Sequence, residues 1–174
     1  MIANNHAQLP TTDTAEPVNR PRGRALMVVG DWHATDRAIY DALGLAKAWK
    51  NLLVIDQPAP TMRQFFLAVA AAAGVSIPAP MPLIDIPSHV NSSLLQVDVT
   101  AVWWMGGCIK PGSGGVAYDH VHDLFDLFMK DHGMSLIIES SAWPESADVA
   151  RLFKVVEAGR LGASDIHSIL GGTR

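Results

Sequence analysis

Three apolar runs in this chain stop abruptly at glycine or acidic residues. They are residues 25–29 before Gly30-Asp31, residues 52–55 before Asp56, and residues 134–138 before Glu139. Short apolar runs that end this sharply are typical of buried parallel strands. In such sheets the loops after the strands face the ligand. The pattern therefore predicts three strands whose carboxyl ends carry the candidate site.

The segments between these runs have helical periodicity. Residues 35–50 carry an apolar face, with Thr35 as the predicted N-cap. Residues 61–73 are apolar nearly all round, and Gly74 is expected to end that helix in a left-handed conformation. The same reading predicts three later helices: residues 117–131, residues 146–158, and a short helix capped by Ser164 in the tail.

The middle of the chain is less regular. Four prolines in residues 76–92 predict an extended crossing segment rather than a helix. Residues 97–104, which include Trp103 and Trp104, predict another strand, preceded by a helical turn. Because strands and helices alternate along the chain, we expect an α/β fold in which helices flank a parallel sheet in three layers.

Composition narrows the function classes. The chain has 174 residues, of which 49% are hydrophobic and 17% charged, with a formal net charge of -4. This length fits one α/β domain, predicted over residues 23–174, and the charge provides no global attraction to nucleic acid or anionic lipid. The longest apolar run, residues 65–75, is too short for a membrane span, which needs about 20 residues. A lone cysteine, Cys108, excludes an intramolecular disulfide.

The amino terminus is a separate region. Residues 1–22 are polar, lack apolar periodicity and have no signal-peptide pattern, so we expect a disordered arm and a cytoplasmic protein without a membrane partner. The charge cluster at the end of the arm consists of Arg20, Arg22 and Arg24. These arginines are the predicted contacts to DNA or to a protein partner.

The first candidate site follows the first strand, at Gly30-Asp31-Trp32-His33-Ala34-Thr35. A phosphate-binding P-loop needs small residues, a lysine and a hydroxyl at this junction. This segment has the glycine and the hydroxyl, but it has no lysine, and bulky rings stand where glycines belong. ATP hydrolysis is therefore not expected. The plain alternative is that these polar residues only cap the next helix.

A metal site is a second interpretation of the same residues. Gly30-Asp31-x-His33 is similar to the start of metal-dependent phosphoesterases, and Asp56 after the second strand could supply the next ligand. The later ligand motifs of that class are poorly matched at residues 88–91 and 120–122. The histidines at 120 and 122 also diverge by about 200° on a helix, which favours a solvated face.

The order of several motifs resembles the TniB-type ATPases of DNA transposition, which are AAA+ relatives of MuB. Residues 28–31 (Val-Val-Gly-Asp) match the strand that leads into the Walker A loop. Residues 53–60 (Leu-Val-Ile-Asp-Gln-Pro-Ala-Pro), followed by Phe65-Phe66, match the second strand and its proline motif. Residues 136–139 (Leu-Ile-Ile-Glu) match the Walker B strand. The resemblance covers residues 22–158 and implies a P-loop NTPase core.

The chain also departs from that family. Residues 31–35 lack the Gly-Lys core of Walker A, and Ser140 stands where a glutamate is expected. Few residues follow the next helix, so a sensor strand, an arginine finger and a helical lid are not expected. The resemblance thus implies a truncated, degenerate relative with a vestigial nucleotide site at residues 30–35 and Glu139.

Three functional hypotheses follow. The first is a non-hydrolytic accessory or regulatory protein of a mobile genetic element, which acts through a protein partner or DNA. The second is a phosphoesterase that uses Asp31, His33 and Asp56. The third is a structural module that forms oligomers through exposed tryptophans and the proline-rich segment. Trp103 and Trp104 could stack a base or fill an interface, although paired tryptophans in a strand more often lie in the core and at an edge. The sequence identifies no cofactor under any of these three hypotheses.

Overall fold

The computed structural model describes residues 23–56, 61–97, 99–105, 129, 133–144 and 147–170. In those segments the strands are β1 Ala25–Val29, β2 Leu52–Ile55, β3 Ala101–Trp104, β4 Ser135–Ser140 and β5 Lys154–Glu157. The helices are α1 Trp32–Ala46, α2 Met62–Ala73, α3 Ile86–Gln96, α4 Ala147–Leu152 and α5 Ala163–Leu170, with a 3-10 turn at Ala158–Arg160. None of the helices described is long and apolar enough to cross a bilayer.

The strands form a parallel sheet in the order β2-β3-β4-β1-β5. After β1 the chain crosses to the far edge, and then returns strand by strand until β4 lies beside β1. In this register Val28 lies opposite Glu139, and Val29 opposite Ser140. The loops that follow β1 and β4 are therefore neighbours, whereas β1 and β2 are separated by two strands.

Helices cover both faces of this sheet. Alternate residues of β1 point to opposite faces: Ala25, Met27 and Val29 pack into the core beneath α2 and α3. Leu26 and Val28 pack into the core beneath α1 and α5. Every residue of β1 and β4 is buried, as expected for central strands covered on both sides. The three-layer α/β fold predicted from the sequence is confirmed.

The start of α1 differs from the prediction. The helix begins at Trp32, and its N-cap is Asp31, whose side chain accepts a hydrogen bond from the Ala34 amide. Thr35 lies inside the helix rather than at its cap. Asp31 and Thr35 both have a side-chain oxygen that can cap a helix, and the apolar periodicity alone did not show at which of them the helix begins. For α2 the prediction is confirmed, because Thr61 caps its start and Gly74 its end, with φ 68°.

Three other predictions were wrong. The proline-rich segment contains α3, because Pro87 lies in the first helical turn, where a missing amide proton costs nothing. The helix predicted over residues 146–158 ends at Leu152, and β5 follows along the free edge of β1. Ser164 lies inside α5, and the amide of Gly162 donates instead to the Asp165 carboxylate at 2.9 Å.

Two predictions fall outside the described residues. They are the amino-terminal arm at residues 1–22, with Arg20 and Arg22, and the helix at residues 117–131 apart from Met129. Arg24, the third arginine of the cluster, is described. It is exposed at the start of β1, at the opposite end of the sheet from Gly30.

Candidate functional site

The candidate site lies where β1 and β4 end side by side. The Gly30 amide donates to the Ser140 carbonyl at 3.0 Å, which holds the two strand ends together. A Cβ on Gly30 would lie 3.1 Å from the Ala158 Cβ and 3.3 Å from the Thr35 Cγ2. Both distances are tighter than ordinary contacts. Glycine therefore fits this junction because α1 and the turn after β5 approach it closely.

Asp31 sits where a P-loop would bind phosphate. Its Oδ1 accepts the Ala34 amide at 3.1 Å, and its carbonyl accepts the Thr35 amide at 2.9 Å. A carboxylate therefore satisfies an amide at the helix start that could otherwise donate to an anion. Its negative charge also disfavours a second anion nearby. Together with the missing lysine, this geometry does not fit a nucleotide phosphate.

Glu139 is the most buried ionisable residue of the site, with 4% of its surface exposed. Its Oε1 accepts the Trp103 indole N–H at 3.0 Å. Its Oε2 lies 3.1 Å from the Thr35 hydroxyl, which also lies 2.9 Å from the Trp32 carbonyl. Both oxygens of the carboxyl group are therefore engaged by side chains of the protein itself.

The surroundings favour a protonated Glu139. Burial and the neighbouring Asp36 carboxyl together raise the pKa of Glu139 to about 7, while hydrogen bonds from Trp103 and Thr35 oppose the rise. The Asp36 Oδ1 is buried and has no hydrogen-bond partner in the described part of the chain. A proton on Glu139 lets it donate to Thr35 or to Asp36, since Thr35 has only one proton for two acceptors.

Aromatic rings continue outward from this carboxyl group. The Trp103 ring lies 6.4 Å from that of Trp49, and Trp49 lies 4.9 Å from Tyr40, which is 62% exposed. The role of Trp103 was not predicted from the sequence. A buried indole N–H needs an acceptor, so a tryptophan within an apolar strand was the available signal. That signal did not identify Glu139 as the acceptor.

The other residues predicted at the site are spread over its surface. Trp32 is 63% exposed and stacks on His33, with ring centroids 5.8 Å apart. Ala34 is also exposed. Trp103 and Trp104 are each only 2% exposed, so both belong to the core and neither is available to stack a base or to fill an interface. The tryptophans that are more than half exposed among the described residues are Trp32 and Trp143.

The structure does not bring the phosphoesterase residues together. Asp31 and Asp56 follow β1 and β2, which lie three strand positions apart. At about 4.8 Å per strand, the ends of these strands are separated by roughly 14 Å. Two metal ions that act together lie about 4 Å apart, so this pair cannot form such a site. Within the described ranges, no three histidine, cysteine or acidic side chains cluster as metal ligands.

Comparisons with known proteins add no further constraint. Neither a protein-family model, nor a curated protein, nor a solved structure matches this chain. The resemblance to the transposition ATPases therefore stays an expectation based on motif order. Function has to be inferred from the site, whose central feature is the buried contact between Glu139, Thr35 and Trp103.

Proposed function

We propose that this chain is a non-hydrolytic accessory or regulatory protein with a degenerate P-loop core. The observation that carries the proposal is that both oxygens of Glu139 are bound within the protein, by Thr35 at 3.1 Å and by Trp103 at 3.0 Å. A carboxyl group held in this way stabilises the junction of β1, β3 and β4. It is not presented to a substrate.

The chemistry of P-loop enzymes explains why these contacts matter. In those enzymes a threonine or serine hydroxyl and an acidic strand-end residue hold Mg²⁺, and a lysine binds the β- and γ-phosphates. Here Thr35 and Glu139 have the corresponding places on α1 and β4, but they bond to each other. No lysine lies in residues 30–35, and Asp31 adds negative charge. The residues thus support retention of a P-loop-like fold without its reaction.

The proposed mode of action is contact with a partner. The motif order that resembles transposition ATPases suggests a mobile genetic element as the setting, with a protein partner and with DNA reached through Arg20, Arg22 and Arg24. The exposed Trp32 and His33 at the start of α1 offer a contact surface beside the closed site. Self-association would use the same kind of contact.

Phosphate release from Mg-ATP tests the non-hydrolytic proposal. The assay compares the wild-type protein with Glu139→Gln and with a blank without protein. We expect wild-type release to equal the blank at enzyme concentrations that would reveal about one turnover per hour. Hydrolysis by the wild type that Glu139→Gln abolishes would overturn the proposal.

A matched control separates a lost carboxylate from a general change of charge. Glu157→Gln removes one negative charge from an exposed residue at the end of β5, beside β1. This variant should behave as the wild type. Circular dichroism of all three proteins then shows whether a difference in release arises from the site or from unfolding.

A further inference from the structure

A basic cavity lies at the opposite end of the sheet from Glu139. It has a volume of about 620 Å³ and lies between the start of β1, the junction of α4 with β5, and α5. Three basic residues line it, namely Arg24, Arg151 and Lys154, and no acidic residue is among its described lining. The described lining is thus basic although the whole chain has a net charge of -4.

Hydrogen bonds fix two of these cations at the wall. The Arg24 Nη1 donates to the Ser168 carbonyl at 2.6 Å, and a neutral carbonyl leaves the guanidinium charge uncompensated. The Lys154 Nζ lies 2.9 Å from the Asp165 Oδ1 and 3.1 Å from the Ser168 hydroxyl. Asp165 therefore neutralises Lys154 without lining the cavity. Two side chains of the lining are held in place from α5.

The same end of the sheet carries a second basic cavity. It has a volume of about 350 Å³, lies on another side of α5, and is lined by Lys47, Lys50 and His167 without an acidic residue among its described lining. Acidic residues instead lie at or just after the carboxyl ends of three strands: Asp31, Asp56 and Glu157. This separation of charge directs anions toward the amino-terminal end of the sheet.

We propose that the cavity lined by Arg24, Arg151 and Lys154 binds a phosphate-bearing ligand. Guanidinium groups pair with phosphate oxygens through two parallel hydrogen bonds. The remaining wall includes Phe153 and Ile169, which can cover an apolar or ring-containing body. The volume is in the range of small-molecule sites. This site is independent of the proposed function, because it lies at the other end of the strands.

Isothermal titration calorimetry with three phosphate compounds tests the site. The compounds are pyrophosphate, ADP without Mg²⁺, and a short oligothymidylate, which distinguish a free phosphate ligand from the phosphodiester backbone of nucleic acid. We expect saturable binding of at least one compound. Replacing both Arg24 and Arg151 with glutamine should weaken it by about tenfold or more, the loss expected for one charge-assisted hydrogen bond.

Two controls locate the binding. Arg37→Gln removes one positive charge from α1, away from the cavity, as the single Arg151→Gln variant does at the cavity, and should leave affinity unchanged. Arg24→Lys and the single Arg151→Gln variant retain most of the charge, and should still weaken binding if the double variant fails to fold.

Three results would overturn the inference. They are no saturable binding of any compound, an equal loss in Arg37→Gln, or retained affinity in the folded Arg24 and Arg151 variants. Nucleotide binding that is lost only in Thr35→Val would assign it to the β1 loop. That result would contradict the closed site as well, whereas the other three results leave the non-hydrolytic proposal standing.

Discussion

Replacing Glu139 with glutamine should make the stability of this protein less dependent on pH. The native environment favours the neutral carboxyl group, because Glu139 is buried and its neighbour Asp36 carries a second carboxyl group. Glutamine is neutral at every pH and nearly equal in shape. Its amide can donate to Asp36 or Thr35, while its carbonyl accepts from Trp103.

The magnitude follows from linkage. The pKa of Glu139 rises from 4.5 to about 7 on folding. Between these values the unfolded chain has released the proton that the native protein still holds, so stability falls as pH increases from 4.5 to 7. Because a tenfold change in the protonation equilibrium is worth about 1.4 kcal/mol, the wild type should lose at most about 3 kcal/mol. Glu139→Gln should not lose it.

Urea unfolding at several pH values measures this difference. The free energy of unfolding of the wild type minus that of Glu139→Gln should decrease as pH rises from 5 to 8, by up to about 3 kcal/mol. Taking the difference cancels the titration of groups that both proteins share. Parallel curves over this pH range would refute the reasoning.

Other predictions concern glycines and an ion pair. Gly23→Ala should destabilise the protein by about 2 kcal/mol or more, because a Cβ there would overlap the Met134 carbonyl, and a lower melting temperature would show it. Gly44→Ala, with nothing within 4 Å of the new Cβ, should instead stabilise α1 by about 0.5–1 kcal/mol in the same assay. Lys154 lowers the pKa of Asp165 below 3.8, so that pair stabilises the fold above this pH and stops doing so as the carboxylate protonates. Asp165→Asn should therefore cost about 0.5–1 kcal/mol at pH 7 in urea unfolding and little at pH 2–3. An unaltered Gly23→Ala protein, a destabilised Gly44→Ala protein, or an equal cost of Asp165→Asn at both pH values would contradict these expectations.

The elements that the sequence predicts well are those with long apolar signals. The strands β1 and β4 and the helix α2 carry continuous apolar runs with clear ends, and each was found where the pattern placed it. β5 was missed because it is only four residues long and follows α4 almost directly. Its identity as a strand depends on the free edge of β1, which is a tertiary contact that no local pattern contains.

The candidate site was also predictable only in part from the sequence. Resemblance placed Gly30, Thr35 and Glu139 at one site, and the structure brings Thr35 and Glu139 into contact. The sheet order that separates Asp31 from Asp56 could not be derived from spacing alone, since it depends on which strands pair. The role of Trp103 depends on that order too, because β3 must lie beside β4 for its indole to reach Glu139.

The most direct test of the closed site is the NMR resonance of the Trp103 indole N–H, assigned among the five tryptophans by its absence in Trp103→Phe. Because this proton is donated to Glu139, its chemical shift should titrate with a midpoint near the pKa of about 7 and remain unchanged when Mg-ATP is added. A midpoint near 4.5, or a shift of this resonance on addition of Mg-ATP, would show that Glu139 is available to solvent or nucleotide and would contradict the account.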